Sequence, residues 1–354
     1  MTASSLKPEP FRIEPVFSPR IWGAKSLAPL FPEKTNLAEP LGEAWLTGVD
    51  CKIASGPFSG KTLGAAWREM SADWRGTRLT SVQDFPLLVK FIFPTEKLSI
   101  QVHPDDAYAS QHERAAGGRG KTEMWHAVSA EPGASVMIGL APRVDAKKLL
   151  AAIETKTPED LLVHWRVQPG DSFFVPAGTP HTIGPNMVIC EVQEYSDLTY
   201  RVYDYGRADA SGKPRELHVQ KALDVIEFGR TVHAKTSRIH LPADGFQKYL
   251  LAACPYFATE RWKESAPMES QSNPEHFDLF VILTGNGDLA WGGGSAKYHD
   301  GECWLVPASL GKLALNPKEP TKVLRTYVPD LPKLRAGLEQ RGFSWQDLEK
   351  TVFD

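Results

Sequence analysis

The chain has 354 residues, 42% of them hydrophobic, which is enough for two or three modest domains with real cores. A formal net charge of −3 excludes a global basic field for nucleic acid, so any functional surface has to be local. No apolar run approaches the roughly 18 residues of a membrane helix, and MTASSLKPEPFRIEP lacks the apolar core of a signal peptide, so a cytoplasmic protein is expected. Cys51, Cys190, Cys254 and Cys303 are widely spaced and form no CxxC, the pattern of buried free thiols in a reducing compartment.

In chain order, residues 1–10 are expected to be disordered. Residues 11–22, FRIEPVFSPRIW, form a strand-and-turn entry broken at Pro15, and GEAWLTG (42–48) is a short strand in which Glu43 is read as a polar-face residue rather than a ligand. Leu63, Trp67 and Met70 make a weak helical stripe. FPLLVKFIF (85–93) is a buried strand interrupted only by Lys90.

The next stretch organises the rest. Leu98, Ile100 and Val102 alternate with Ser99, Gln101 and His103, which sends the polar three to one face of a strand that Pro104 ends. Side chains two apart on a strand have Cα atoms about 7 Å apart, close enough to reach one cation, and a partner carboxylate is expected from a neighbouring strand. Lys121-Thr122-Glu123 follows after a loop containing Gly117-Gly118-Arg119-Gly120. That loop lacks the following helix of a phosphate loop and is read as a flexible lid that brings Lys121 over a ligand. Residues 124–130 and 134–140 form a hairpin around Glu131-Pro132-Gly133. Residues 143–163 are helical, with a second short helix at Thr157-Pro158. Strands run through 163–206, a helix lies in 213–228, strands occupy 235–328, and helices end the chain over 331–352.

One internal repeat bears on the fold. Gly170-Asp171-Ser172-Phe173-Phe174-Val175-Pro176-Ala177 returns as Gly301-Glu302-Cys303-Trp304-Leu305-Val306-Pro307-Ala308. Two strand-rich units sharing this element make a mainly β protein of two related β-barrels, with a helical insertion and C-terminal helices. The expected division is a first barrel with the site over 1–230, a degenerate second barrel over 231–330, and a helical extension over 331–354. The first copy continues to His181 where the second reaches Lys312, so only the first barrel is expected to hold a metal. Gln101, His103, Glu123 and His181 form an N/O ligand set suited to zinc or another divalent first-row metal.

LSIQVHPDD, GKTEMWH, PAGTPHTIG, EVQEYSDLTYRVYDYGR and the early RIWG resemble the type I mannose-6-phosphate isomerase (phosphomannose isomerase) family in its shorter bacterial form, over roughly residues 11–328. The resemblance implies a two-barrel, jelly-roll-like cupin with one Zn2+ per chain, held by Gln101, His103, Glu123 and His181. It also implies a phosphosugar substrate, mannose 6-phosphate, interconverted with fructose 6-phosphate through an enediol. Arg201 matches the family's active-site arginine, Lys121 and Ser99 match residues near the phosphate or sugar, and Glu191 matches a glutamate proposed as base. No nucleic-acid or membrane partner is implied, and monomer and homodimer both stay open. Glu194-Tyr195-Ser196-Asp197 departs from the family by placing a phenol upstream of Arg201, which would alter the pocket if it faced inward. Two other readings remain: a cupin oxygenase using two histidines and a carboxylate for iron, and a non-catalytic sugar-phosphate sensor.

Overall fold

The computed structural model describes residues 6–208 and 212–354. The disorder expected over 1–10 lies outside the described residues for 1–5. Beyond them, Leu6 already packs on the main apolar cluster and Pro10 is buried.

Among the described residues, antiparallel strands form four sheets. A six-stranded sheet runs in the order Val16–Ala24, Leu41–Trp45, Leu87–Ile92, Met187–Glu194, Glu123–Ala130 and Ser172–Val175. It faces a five-stranded sheet of Tyr200–Tyr203, Ile100–Val102, His181–Ile183, Ser135–Leu140 and Leu162–Arg166. Ile92, Trp125, Phe173, Ile183 and Ile189 fill the space between them. A seven-stranded and a four-stranded sheet enclose a second interior, packed with Trp262, Phe280, Tyr298, Trp304 and Leu313. The mainly β, two-unit architecture expected from the repeat is present, and both repeat copies are strands: Ser172–Val175 and Cys303–Val306.

The six- and seven-stranded sheets meet back to back. Phe91, Met124 and Val192 from one pack against Leu251, Val281 and Leu305 from the other, and all four cysteines are buried free thiols in this layer. That is why 85–93 is apolar on both faces: Leu87, Val89 and Phe91 serve the layer between the units, and Ile92 the first unit's inner side.

The polar stretch is oriented by the same logic. Ile100 and Val102 turn outward and are covered by Leu149 of the helix Ala146–Glu154 and Ala222 of the helix Val219–Val225. Ser99, Gln101 and His103 therefore look inward. The C-terminal helices Leu331–Gln340 and Trp345–Leu348 pack Leu331, Leu338 and Leu348 on Ile239, Leu250 and Ala258.

Several elements are shorter than their patterns predict. The stripe near 63–70 divides into Leu63–Glu69 and Ala72–Arg75, which Gly76 ends at φ +96°. The helix expected in 213–228 begins only at Val219, beyond Pro214. One pairing crosses the expected division: Phe11–Ile13 joins the second unit's sheet, with Phe11 opposite Leu305. Among the described residues, no helix is long and apolar enough to cross a membrane.

Candidate functional site

His181 sits directly opposite Gln101 on paired strands, and His103 follows where Pro104 stops the ladder. The carboxylate does not arrive from a neighbouring strand of that sheet. Glu123 starts a strand of the facing six-stranded sheet, between Val175 and Gln193, and reaches the histidines across the interior. One ligand atom from each of His103, Glu123 and His181 lies within 4.8 Å of the other two, and all three residues are buried. His103 Nε2 is 3.2 Å from Glu123 Oε1, and His181 Nε2 is 3.8 Å from Glu123 Oε2.

These residues fit a metal on chemical grounds. His103 Nδ1–H donates to the Leu198 carbonyl (2.7 Å) and His181 Nδ1–H to the Thr179 carbonyl (2.8 Å), which leaves both Nε2 lone pairs facing the cluster. Burial, together with Lys121, pushes His103 down to about 3, and burial also lowers His181, so both imidazoles are neutral donors at pH 7. Burial opposes ionisation of Glu123, but Lys121 and His103 outweigh it and hold the carboxyl well below its ordinary range. The Lys121 ammonium touches Glu123 Oε1 and lies 3.1 Å from His103 Nε2, a positive charge on the atoms a metal would use. Gln101 Nε2 borders the cluster, 3.3 Å from His181 Nε2, and a turn of the amide would bring its oxygen there as a fourth donor.

Beside the cluster opens a cavity of about 400 Å³ that includes Ser99, Gln101, Lys121, Glu191 and Arg201. Glu191 is buried opposite Lys90 and Trp125. Its Oε2 accepts from Trp125 Nε1 (3.0 Å), the same indole that reaches Glu123 Oε2 (3.0 Å). Its Oε1 lies 3.2 Å from Lys90 Nζ but accepts no hydrogen bond. Burial and the neighbouring Glu123 carboxylate raise Glu191 above its usual range despite that ammonium. Arg201 is half-buried, with Nη1 donating to the Glu216 carbonyl (2.8 Å) and Nε unpartnered. Ser99 Oγ donates to Gln101 Oε1 at 3.4 Å.

Every residue expected at the site lies at the cluster or lines the cavity. Lys121 lies in the loop that precedes the Glu123 strand and is 2% exposed, and Gly120 packs so close to Asp105 that a Cβ there would come within 2.5 Å of backbone. Tyr195 faces away, its hydroxyl accepting from Val49 N (2.9 Å) at the layer between the units. Glu43 is more than a polar-face residue, because it lines the cavity and pairs with Arg20 (2.6 Å) and Lys90 (3.8 Å). Sequence reasoning missed Lys90, Trp125, Arg20 and Arg215 as site residues. For Lys90 a signal was available, since a lysine inside a doubly buried strand needs carboxylates around it.

Comparison with known proteins agrees with this geometry. Residues 10–130 match the family described as phosphomannose isomerase type I, catalytic domain. The chain is 34% identical over 314 residues to mannose-6-phosphate isomerase ManA of Bacillus subtilis, covering 87% of this chain and 96% of that one. It is 32% identical over 307 residues to mannose-6-phosphate isomerase of Streptococcus mutans, covering 85% and 93%. The solved mannose 6-phosphate isomerase of Bacillus subtilis superposes with a TM-score of 0.82 at 29% identity, over 90% of this chain and 99% of that one. A mannose 6-phosphate isomerase solved with zinc and yttrium shares the fold at a TM-score of 0.69 and 15% identity, over 90% and 99%. With two relatives above 30% identity over most of their length, a buried histidine–glutamate cluster and a shared two-unit β fold, this chain belongs to the type I phosphomannose isomerase family.

Proposed function

We propose that the protein interconverts mannose 6-phosphate and fructose 6-phosphate, with catalysis in residues 1–230, a metal-free second barrel over 231–330 and a helical extension over 331–354. The observation that carries this reading is the convergence of two different groups on one buried end of the cavity. One is a metal-type donor cluster; the other is the Glu191 carboxylate, whose Oε1 accepts no hydrogen bond.

Gln101, His103, Glu123 and His181 hold one zinc ion per chain, a choice that follows from two neutral imidazoles, a carboxylate and an amide oxygen. An ion held by these residues would act as a Lewis acid toward the sugar oxygens beside the reacting carbons. Glu191 Oε1 takes the proton from C2 of the open-chain aldose and returns it to C1, while the O2 hydroxyl proton passes to O1, so the isomerisation is proton-neutral. Its raised proton affinity suits a base that must also give the proton back. Trp125 fixes Glu191 by Oε2, and Oε1, which accepts no hydrogen bond and faces Lys90 at 3.2 Å and Lys121 at 3.9 Å, is the oxygen that takes the proton. Lys121 steadies charge on the sugar oxygens. Arg201 and Ser99 bind the substrate, with Arg201, which lines the cavity beside Arg215, suited to phosphate. The four buried thiols suit a cytoplasmic enzyme, and a net charge of −3 suits one with no nucleic-acid partner.

The test is a coupled assay of zinc-loaded protein with mannose 6-phosphate, following fructose 6-phosphate. Binding without product would leave a sugar-phosphate sensor, and oxygen-dependent turnover after iron loading would favour an oxygenase.

A further inference from the structure

The second unit carries its own version of the first unit's charged strand ladder. In the first, Glu43 lies beside Lys90 and Lys90 beside Glu191, on three adjacent strands. The same register positions in the second are Lys248, Glu260 and Arg325: Arg325 is opposite Glu260 and Phe280, as Glu191 is opposite Lys90 and Trp125. The charges are inverted, with Lys248 3.3 Å and Arg325 3.1 Å from Glu260 Oε2. Glu123 has its counterpart in Asp278, each opposite the valine of its repeat copy, Val175 and Val306. Arg325 lies 2.9 Å from Asp278, so a guanidinium takes the place of a cation on that carboxylate.

This ladder also borders a cavity, of about 340 Å³. Its other wall is the C-terminal helix Leu331–Gln340 and its exit, which bring Lys333 and Arg341. Asn273 lines it too, in a Gln271-Ser272-Asn273-Pro274 run that mirrors Gln101-Val102-His103-Pro104. The cavity's carboxylates are already engaged: Glu260 with Arg325 and Lys248, Glu275 with Lys333 and Asp330 with Arg78. Arg341, exposed at the cavity's mouth, has no ion pair among the described residues, and Arg325 keeps a buried, unpartnered Nε. Tyr327 adds an aromatic face, with His276 stacked on it at 4.3 Å.

We infer that this second cavity is a metal-independent binding site for a small phosphate monoester, with Arg341 and Lys248 holding the phosphate and Tyr327 lining the organic part. Arg341 is a cation of the cavity without a carboxylate among the described residues, so a dianion is the charge it can accept, and with Asn273 at the place of His103 no metal-type donor group forms there among those residues. The site is separate from the proposed isomerase chemistry and does not depend on it.

Glycerol 3-phosphate is the probe, with glycerol as the neutral control. Calorimetry on the zinc-loaded protein should give one binding event attributable to Arg341. Arg341→Ala should weaken that event at least about tenfold, the cost of one charge-assisted contact, and leave isomerase activity intact. Lys248→Met should weaken it in the same direction, and crystals grown with the probe should show phosphate density between Lys248 and Arg341. Binding unchanged in both variants, or density only in the first unit's cavity, would overturn the site. So would equal binding of glycerol.

Discussion

The two units use one strand plan to opposite ends. In the first, the inward positions near the cavity are Gln101, His103, Glu123 and Glu191, and the interior stays polar at that end. In the second, Trp262, Phe280, Tyr298 and Trp304 fill the interior, and charge is confined to the ladder at its rim. Even the residue aligned with His181 has left: Lys312 is exposed, while Leu313 and Leu315 point into the core. A buried donor cluster is costly for a fold unless a cation is bound, whereas apolar packing stabilises unconditionally. On the proposed reading the duplication divides labour, the metal-type donor cluster lying in one copy and dense apolar packing in the other.

The strongest test of that division removes the cation. Chelation, or His103→Ala, should cut isomerase turnover by about 10³-fold or more and leave the variant metal-free by elemental analysis. Turnover surviving both would end the metal assignment. Glu191→Gln should lower kcat by roughly 10²–10⁴-fold while the metal content stays at one per chain, which separates the base from the ligands. Loss of metal along with activity would instead make Glu191 part of the metal's support.

On the other side of the comparison, Phe280→Ala should cost about 3–5 kcal/mol in denaturant unfolding with kcat nearly unchanged in the folded fraction. A large fall in kcat at full folding would show that the second interior is not merely packing. Glu194 gives a pH-dependent effect at the seam between the units. Burial and Asp106 raise it from 4.5 to about 8, so the folded protein holds a proton there that the unfolded chain releases. That contribution is fully present below pH 4.5 and is lost as the pH rises through 8. Glu194→Gln keeps an oxygen for Thr122 N and should be more stable than wild type near pH 8.5, with the gap closing toward pH 4.5. A gap independent of pH would rule out this titration. Smallest of all, Lys312→His should recruit no metal, because the position is exposed and Asp278 already pairs with Arg325.

Much of this was legible in the sequence. Alternation around Gln101 and His103 placed the polar face, and the repeat showed both the duplication and the unequal fates of its copies. Less was visible where function depends on which sheet faces which. Glu123 comes across the interior rather than from an adjacent strand, and nothing in a linear pattern distinguishes the two. Lys90 looked like an interruption because its carboxylates, Glu43 and Glu191, lie far away along the chain. The inverted ladder of the second unit was hidden for the same reason, since its partners are matched only through register.

The pairing of Phe11–Ile13 with Cys303–Val306 has a consequence for how the protein is made. The strand at 11–13 cannot pair until residues 303–306, nearly 300 positions along the chain, have been made. Until Leu305 emerges, Phe11 has no ladder to join and the apolar layer between the units lacks one of its walls. Such long-range closure is slow, and it exposes apolar surface meanwhile. Closure of the layer between the units therefore waits on residues 303–306, and the two units are latched by a strap drawn from one and sewn into the other.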